Sequence, residues 1–538
     1  MRTLSHVELR AAGPYASVLD LCEAPSPELS RRIAELHRRL SARAPAEVHD
    51  LVPSFQGLLI EHRPSIGPTS LQRWISAATH ADAPSWQPRR RSLRVAYGEG
   101  SDREELEAAL RLPFDRIARL HQGHTATVAF LGFTPGFPYL LGLPEALHLP
   151  RRERPRSRIP AGSVAIAAGL GGIYPAASPG GWWVLGRTDA VLFDPDLDDP
   201  AWLAPGDQVA FAATDASELL PGPPPRRDRS VAIHPVGKVA AVELLEVVPG
   251  SATLQADARR GVGHLGAAQA GALDPLASEV ANRLVGNPAA TLALEVVAQP
   301  FVARALDDTV AAVTGGGMRV LLDGRELRTW APIAWRRGAT LELTPDRTVP
   351  GRTAVIAIAG GLAGDRWRGS FSTDVRAGAG GSARWLRSGD VLAAAGPGRP
   401  ARLPPPGQPR LTGHTLLRVY PGPQYDDETF TALTRTTYSL ADADRTGARL
   451  DGPPLGLPAP LAESDGSPLG AVQVPPDGRP IVLLADRGRT GGYAKPAVVD
   501  PRDLWRLAQA KPSDRVSFVD ARSGSAASGQ PEPLHSWT

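Results

Sequence analysis

The chain has 538 residues, enough for roughly three to four domains of ordinary size. Its 59 basic and 56 acidic residues nearly cancel, and no long basic run alternates with aromatic residues, so nucleic acid is not an expected partner. The one cysteine, Cys22, excludes an intrachain disulfide and a cysteine metal cluster, and no apolar run reaches membrane-spanning length. We therefore expect a cytoplasmic protein with no metal site and no membrane partner.

The first 91 residues predict a small α+β domain. Ser26 is a candidate N-cap with Pro27 at the first helical position, and apolar residues then recur at helical spacing up to Leu40. A single strand is predicted over residues 48–60, and a second amphipathic helix follows around residues 71–78.

The next segment alternates short strands and short helices. Residues 92–97 predict a strand, and Ser101 with Glu104 matches a capping box that would open a helix. A second short helix ends at His121, just before a strand over residues 125–131. This strand leads into the most unusual stretch of the chain.

Residues 132–188 combine many Gly and Pro residues with aromatic and basic residues. Disordered segments do not have this composition, because they lack aromatic residues that can be buried. Glycine permits positive φ and close backbone approach, while proline fixes φ. The stretch therefore predicts tight, shaped loops on short strands, and such loops often carry function, although ordinary turns of an all-β domain remain an alternative.

The second half begins after a Pro- and Arg-rich connector at 219–232. Asp274 is a predicted N-cap before Pro275, and Asn282 lies on the helix face opposite the predicted apolar stripe, free to meet solvent or a ligand. A Pro-rich hinge at 401–410 and a polar tail at 521–538, expected to be disordered, complete the chain.

An internal repeat is visible in the sequence. Residues 159–166 (IPAGSVAI) parallel 475–483 (PPDGRPIVL), 171–174 parallel 491–493, and the closing segments 204–211 (APGDQVAF) and 511–518 (KPSDRVSF) match in type and spacing. One spaced repeat predicts duplicated domains.

Four linked motifs of the first half resemble a known family. GFTPGFPYL, PRSRIPAGSVAI, GIYP and SPGGWWVLGRT are similar to the B subunit of 5-oxoprolinase, whose family includes the inhibitor of a sporulation histidine kinase and part of the carboxyltransferase region of urea carboxylase. GHLG, AGALDP and ANRLVGN in the second half resemble the C subunit of 5-oxoprolinase. The chain thus resembles a fusion of the B and C subunits, also described as allophanate hydrolase subunits 1 and 2.

The resemblance implies an α+β, mainly β protein with cyclophilin-like β-barrel domains in both halves and a small N-terminal α+β domain. The predicted division is 1–91, 92–218, the linker 219–232, a first lobe 233–400, the hinge 401–410, a barrel lobe 411–520 and the tail 521–538.

The segment LADRGRTGGYAKPA places a carboxylate and an ammonium group near one Gly-rich turn. Asp486 and Lys495 are our main catalytic candidates, because such a pair could position a small amide or acid. The alternative is a surface ion pair beside a core tyrosine. The family pattern has Thr where Gly488-Arg489 stands, so this turn departs from it.

The resemblance extends the candidate site to further residues. Asn282 joins the catalytic set for its place on the helix, and His121 joins it because the family has a histidine at the matching place, with a structural histidine at a helix end as the alternative. The expected substrate-binding residues are Phe133, Pro135, Gly136, Tyr139, Arg156, Ser163, Tyr174, Gly181, Trp182, Arg187, His264, Gln473, Gly491, Gly492 and Tyr493. Arg156 and Arg187 are included because a guanidinium group matches a carboxylate geometrically.

We expect an enzyme that opens 5-oxoproline to glutamate at the expense of ATP, together with a separate A subunit of 5-oxoprolinase. The chain has no P-loop motif, so the ATP site is expected to need that partner. One alternative is the carboxyltransferase component of a biotin-dependent urea or amide carboxylase. Biotin would then be carried by a partner, because no lysine here is flanked by two methionines. A regulator that binds a histidine kinase is a third reading, and association of identical chains stays open.

Overall fold

The structure is a computed structural model that describes residues 7–80, 86–220, 240–398, 408–456 and 464–523. Nearly all of the predicted linker (219–232), most of the hinge (401–410) and most of the tail (521–538) lie outside these ranges. No helix within the ranges is long and apolar enough to cross a membrane. The mainly β fold class is confirmed, with two closed seven-stranded barrels.

An antiparallel sheet covered by two helices forms the N-terminal layer. Its elements are β1 (Glu8–Ala11), β2 (Ala16–Asp20), α1 (Pro27–Ser41), β3 (Val48–Pro53), β4 (Gly57–His62) and α2 (Pro68–His80), with strand order β1-β2-β4-β3. As predicted, the Ser26 side chain caps α1 by accepting from the Leu29 amide at 3.1 Å. The apolar faces of both helices pack on the sheet, so this layer has its own core.

The single strand predicted over 48–60 is wrong. Residues 54–56 turn the chain, and the Ser54 amide donates to the Gly57 carbonyl at 2.9 Å to close a hairpin between β3 and β4. A Cβ at Gly57 would lie 1.8 Å from the Leu19 carbonyl oxygen, so the neighbouring strand requires glycine there. The turn is hard to see in the sequence because both arms are apolar.

The first barrel contains the Gly- and Pro-rich stretch. Its elements are β5 (Arg90–Tyr97), α3 (Arg103–Leu110), α4 (Phe114–Gln122), β6 (Thr125–Leu131), β7 (Pro138–Leu141), β8 (Arg156–Ile159), β9 (Ser163–Ala167), β10 (Leu170–Ile173), β11 (Ser178–Gly180), β12 (Trp183–Arg187) and β13 (Gln208–Ala213). The barrel closes in the order β10-β7-β6-β13-β5-β12-β9, and β8 with β11 forms a separate ribbon.

The capping box predicted before α3 is wrong. The Ser101 hydroxyl donates to the Gly98 carbonyl at 3.0 Å, and Asp102 occupies the N-cap position without capping the helix. The Asp102 carboxylate instead accepts from the Val184 amide at 2.8 Å. The Asp102 carboxylate therefore holds the helix start against β12, while the Ser101 hydroxyl closes the turn after β5.

Two sheets that share one core make up the first lobe of the second half. Their order is β20-β19-β22-β17-β14-β24 in one sheet and β15-β16-β23-β18-β21 in the other. The elements are β14 (Ala240–Val247), β15 (Ala252–Gln255), α5 (Pro275–Leu284), β16 (Ala293–Val297), β17 (Phe301–Ala305), β18 (Thr309–Gly315), β19 (Met318–Leu322), β20 (Arg325–Glu326), β21 (Pro332–Trp335), β22 (Thr340–Pro345), β23 (Thr353–Ile358) and β24 (Val391–Ala393). The predicted cap of α5 is confirmed, since Asp274 accepts from the Ala277 amide at 2.9 Å.

The second barrel completes the described chain. Its elements are β25 (His414–Pro421), α6 (Asp427–Arg435), β26 (Thr437–Ala443), β27 (Gly447–Asp451), β28 (Asp465–Gly466), β29 (Ala471–Val474), β30 (Ile481–Leu483), β31 (Thr490–Gly491), β32 (Ala494–Val499), α7 (Leu504–Gln509) and β33 (Arg515–Asp520). The barrel order is β25-β32-β29-β30-β27-β26-β33, and β28 pairs with β31 as a ribbon.

The duplication predicted from the sequence is visible in the strand order of the two barrels. In each barrel the first and last strands pair in parallel, β5 with β13 and β25 with β33, and the other strands follow in the same cyclic order. The turn before the last strand is also repeated. Asp207 accepts from the Ala204 amide at 2.9 Å, and Asp514 accepts from the Lys511 amide at 2.8 Å.

Two of the predicted repeat alignments are shifted. By strand position, β9 corresponds to β29, so residues 159–166 match 467–474 rather than 475–483. Counting back from the starts of β12 and β32, Gly180-Gly181-Trp182 matches Gly491-Gly492-Tyr493. Similar residue types had masked the true register, because Gly-rich turns precede several strands of each barrel.

Candidate active site

The loop between β6 and β7 of the first barrel meets the turn before β32 of the second barrel. A Cβ at Gly132 would lie 2.5 Å from the Thr490 hydroxyl oxygen, so the two segments are in close contact. Residues 263–266 pack against the loop between β6 and β7, since the Gly136 amide donates to the Leu265 carbonyl at 2.9 Å. Two sets of residues predicted separately from the sequence are thus brought together at one place, which we call the junction.

The junction contains buried hydroxyl groups that have no partner among the described residues. These are the side chains of Thr134, Ser467 and Thr490. The Thr134 amide donates to the Gly132 carbonyl, and the Ser467 hydroxyl oxygen would lie 3.3 Å from a Cβ on Gly491, so all three border the same contact. A buried hydroxyl without a partner costs free energy, and a bound polar molecule would satisfy it.

Lys495 is fully buried beneath the Gly-rich turn. Its ammonium group donates to the carbonyl oxygens of Tyr493 at 3.2 Å and Gly491 at 3.4 Å. Burial lowers the pKa of Lys495 to about 8, although the nearby Asp465 carboxylate opposes the change. A lysine with this pKa can exchange a proton near neutral pH, as an acid–base catalyst must.

The turn above Lys495 is tightly packed at Gly491 and has ordinary contacts at Gly492. A Cβ at Gly491 would lie 2.5 Å from the Gln473 amide nitrogen, and Gln473 is itself buried. A Cβ at Gly492 would approach the Ser464 hydroxyl oxygen at 3.5 Å. Tyr493 is 44 % exposed, so the alternative of a core tyrosine in this segment is wrong.

Asp486 is paired with Arg445 rather than with Lys495. The Arg445 guanidinium group donates to both Asp486 oxygens, at 2.7 and 3.0 Å, and also to Glu295. No hydrogen bond or ion pair among the described residues joins Asp486 to Lys495. The Asp486 side chain is 17 % exposed, so this carboxylate is half-buried.

Aromatic rings line the first-barrel side of the junction. Tyr139, Tyr174 and Trp182 are buried around Phe137 with ring centroids 5.2 to 5.6 Å from it, whereas Phe133 is 38 % exposed with φ of 62°. The ring centroid of Phe133 lies 5.5 Å from that of Phe137, so the exposed ring packs on the buried rings.

The turn that carries Pro135 is tightly packed. Gly136 has φ of 76°, and a Cβ there would lie 2.7 Å from Cβ of Phe193. This turn therefore has little freedom to move.

The two predicted carboxylate-binding arginines differ. Arg156 forms an ion pair with Asp102, which already neutralises its charge. Arg187 ends β12 opposite the buried Ser163, and its Nε is buried without a partner in the described chain. A Cβ built on Gly181 would lie 3.5 Å from the Arg152 carbonyl oxygen, so Gly181 packs at the edge of the ribbon formed by β8 and β11.

Two predicted catalytic residues are buried outside the junction and make other contacts there. Asn282 is fully buried, and its amide donates to the Thr291 carbonyl at 2.8 Å, so the expectation that it faces solvent or a ligand is wrong. His121 is buried against Phe211 and 2.8 Å from the Tyr97 hydroxyl, and burial lowers its pKa to about 3. Both side chains have partners that fix the fold.

His264 lies in a cavity of about 330 Å³ that Leu131 and Leu265 also line. Its ring centroid is 5.3 Å from that of His37. Burial lowers the pKa of His264 to about 4 and that of His37 to about 3, so both rings are neutral at neutral pH.

Sequence reasoning missed a buried charge network beside the junction. Glu61 of the N-terminal layer binds Arg487 at 2.5 Å and Arg489 at 2.7 Å, and Arg489 also reaches Asp50 at 3.1 Å. Burial raises the pKa of Glu61, but the two guanidinium groups outweigh it and the net direction is down. The signal available in the sequence was the pair of arginines in RGRTGG, where the resemblance predicted a threonine.

Comparison with known proteins assigns different relatives to the two halves. The family model described as "Carboxyltransferase domain, subdomain C and D" matches residues 7–203, and the one described as "Carboxyltransferase domain, subdomain A and B" matches residues 265–520. The B subunit of 5-oxoprolinase from Escherichia coli O157:H7 is 45 % identical over 143 residues, which are 26 % of this chain and 64 % of that protein. The C subunit of 5-oxoprolinase from Escherichia coli K12 is 34 % identical over 273 residues, which are 50 % of this chain and 87 % of that protein.

Two further relatives complete the comparison. Urea amidolyase of Saccharomyces cerevisiae is 29 % identical over 310 residues, 52 % of this chain but only 16 % of that protein. The crystal structure of TTHA0988 superposes with a TM-score of 0.81 and 38 % identity, covering 94 % of this chain and 99 % of that one. The similarity to TTHA0988 therefore extends over both halves.

Proposed function

We propose that this chain is a fused B and C component of an ATP-dependent 5-oxoprolinase. The chain belongs to the carboxyltransferase-domain family, which includes the B and C subunits of 5-oxoprolinase. It would open the lactam of 5-oxoproline to glutamate together with a separate A subunit. The observation that carries this proposal is the junction, where a loop of the B-like half and a turn of the C-like half meet around unpaired buried hydroxyls.

The junction offers the groups that a small cyclic amide would need. The hydroxyls of Thr134, Ser467 and Thr490 are enclosed in the structure, so they can donate to the lactam oxygen or the substrate carboxylate once the loop and the turn separate. Phe133 supplies an exposed apolar surface that could cover the ring carbons. A site that binds the substrate with groups from both halves would make both halves necessary for activity.

Lys495 is the proton carrier in this proposal. When water attacks the lactam carbonyl, the departing nitrogen must gain a proton, and an ammonium group with a pKa near 8 can give one and regain it. Asp486 takes a positioning role, because both its oxygens are held by Arg445. ATP would supply the driving force, and its site is assigned to the assembly with the A subunit.

The alternative is the carboxyltransferase component of a biotin-dependent carboxylase that acts on urea or another small amide. The identity to urea amidolyase favours it. Biotin would then be delivered on a carrier protein.

The test is an assay of glutamate release from 5-oxoproline and ATP, with and without the A subunit of a bacterial 5-oxoprolinase. We expect release only when the A subunit is present. A parallel reaction supplies urea, bicarbonate, ATP, a biotin carboxylase and its biotinylated carrier. Consumption of urea in that reaction, with no glutamate in the first, would overturn the proposal in favour of the alternative.

A further inference from the structure

A cavity of about 200 Å³ lies between the first lobe of the second half and the second barrel, and its walls come from segments other than those of the junction. Arg347 comes from the first lobe, Arg410 from the segment leading into β25, and Arg506 and Lys511 from α7 and the turn after it. Asp514 is the only acidic residue in the lining. The cavity therefore has a large excess of positive charge.

Two of these cations have no counter-charge within the described chain. Arg347 and Arg410 are exposed, and neither forms an ion pair with a carboxylate of the described residues. Exposed arginines usually serve as solvated charges, but here two of them line one cavity, although 63 positions of sequence separate them. Their guanidinium groups are free to bind an anion there.

The other two cations are fixed in position, Lys511 by neutral carbonyl groups and Arg506 by a long ion pair with Asp503. Lys511 donates through its ammonium group to the carbonyl oxygens of Asp346, Arg347 and Val349, at 3.1, 3.2 and 2.6 Å. These neutral acceptors leave its positive charge uncompensated while they tie the two lobes together. Arg506 lies 3.7 Å from Asp503, whose carboxylate is already held by Arg418 at 2.8 Å through two bonds.

The one acidic group is also engaged. The Asp514 carboxylate accepts from the Lys511 backbone amide, and this bond is repeated by Asp207 in the first barrel. Because the first-barrel turn has the same bond, Asp514 has a structural reason to be present. Its carboxylate keeps its charge and offsets one of the four cations, which still leaves the lining with an excess of positive charge.

We propose that this cavity binds a phosphate-bearing anion. Guanidinium groups present planar forks that match phosphate oxygens, and a concave site of one sign concentrates counter-ions. The volume is several times the roughly 30 Å³ that one water occupies in the liquid, so a diphosphate group has room. A multiply charged phosphate matches three guanidinium groups and an ammonium better than a single carboxylate does.

The ligand chemistry has two sources, free phosphate or the phosphate chain of a nucleotide. Isothermal titration of the full chain with inorganic phosphate, pyrophosphate and ATP distinguishes them. Tighter binding of ATP than of pyrophosphate identifies a nucleotide, and equal binding identifies the phosphate group alone. The proposal does not rest on the oxoprolinase activity, because the readout is binding.

Variants locate the site. We expect Arg347→Gln and Arg410→Gln each to weaken pyrophosphate binding by about tenfold, since each removes one charged fork. Arg325→Gln, at an exposed position on β20, is the matched control and should leave binding unchanged. Absence of saturable binding by all three anions, or equal affinity in the wild type and the Arg347→Gln, Arg410→Gln double variant, would overturn the proposal.

Discussion

Lys495 is the residue whose chemistry depends most on burial. The sequence identified it as a charged group in a Gly-rich turn, but the structure encloses it completely and lowers its pKa from 10.5 to about 8. A pKa change of this size means that folding raises the free energy of the charged form, relative to the neutral form, by roughly 3 kcal/mol. The cost of burial is what makes this lysine suitable for proton transfer.

This burial predicts a particular dependence of stability on pH. Between about pH 8 and 10.5 the unfolded chain holds the Lys495 proton and the folded chain has released it, so the free energy of unfolding must rise with pH in this window. Lys495→Met removes that contribution. We expect urea titrations to show the wild type gaining stability relative to Lys495→Met from pH 8 to 10.5. Parallel curves for the two proteins would contradict the assignment.

The Asp486 carboxylate contributes to stability through its bonds with Arg445. Asp486→Asn weakens two bonds to the buried Arg445, and we expect it to lower the free energy of unfolding by about 2 kcal/mol, the scale of charged hydrogen bonds. Asp442→Asn is the matched control, because Asp442 is 71 % exposed and its partner Arg449 lies 3.6 Å away. The control should change stability by less than about 0.5 kcal/mol. Equal effects of the two substitutions would show that Asp486 is not held as described.

The loop after β6 and the turn before β32 are in direct contact. Gly132→Ala would press a methyl group against the Thr490 hydroxyl and the Phe130 ring, at 2.5 and 3.0 Å, and should cost about 1 to 3 kcal/mol. Thr490→Ala removes an unpaired hydroxyl and should cost little. In the double variant part of the clash is relieved, so the effects should fall short of additivity by at least about 0.5 kcal/mol.

Chemical unfolding of the two single variants and the double variant measures this coupling. Gly396→Ala is the control, because a Cβ there meets nothing within 4 Å. Strict additivity of Gly132→Ala and Thr490→Ala would mean that the two elements are not in contact.

Elements defined by local signals were predictable from the sequence. The caps of α1 and α5 depend on a side chain and an amide three residues apart, and both were identified. The capping box at Ser101 failed, because its hydroxyl bonds back to Gly98 and the Asp102 carboxylate bonds to Val184. The β3–β4 hairpin also escaped prediction, since Gly57 is required by contact with Leu19 rather than by a local turn motif.

The N-terminal layer is joined to the second barrel by buried charges. Glu61 and Arg489 are 428 positions apart in the sequence, so no local pattern could pair them. Breaking a buried ion pair usually costs several kcal/mol, since it leaves an uncompensated charge. The network therefore selects one arrangement of the two halves, and it lies next to the segment that contributes Thr490 to the junction.

The duplicated barrels were recognisable from the sequence, but the junction was not. Residue types and spacing revealed the closing strands, because the turn at Asp207 and Asp514 uses the same bond. The junction arises from how the two copies face each other. Candidate residues on both sides were identified in advance, but only the structure brings Phe133 and Tyr493 into neighbouring loops.

The most direct test of this account is the rate of glutamate release in the presence of the A subunit, measured for the intact chain, for co-expressed fragments 1–220 and 230–538, and for each fragment alone. The two fragments should associate through the buried charge network and restore most of the activity of the intact chain. Each fragment alone should be inactive, because each contributes only one side of the junction. Full activity of either fragment with the A subunit would contradict a site built from both halves.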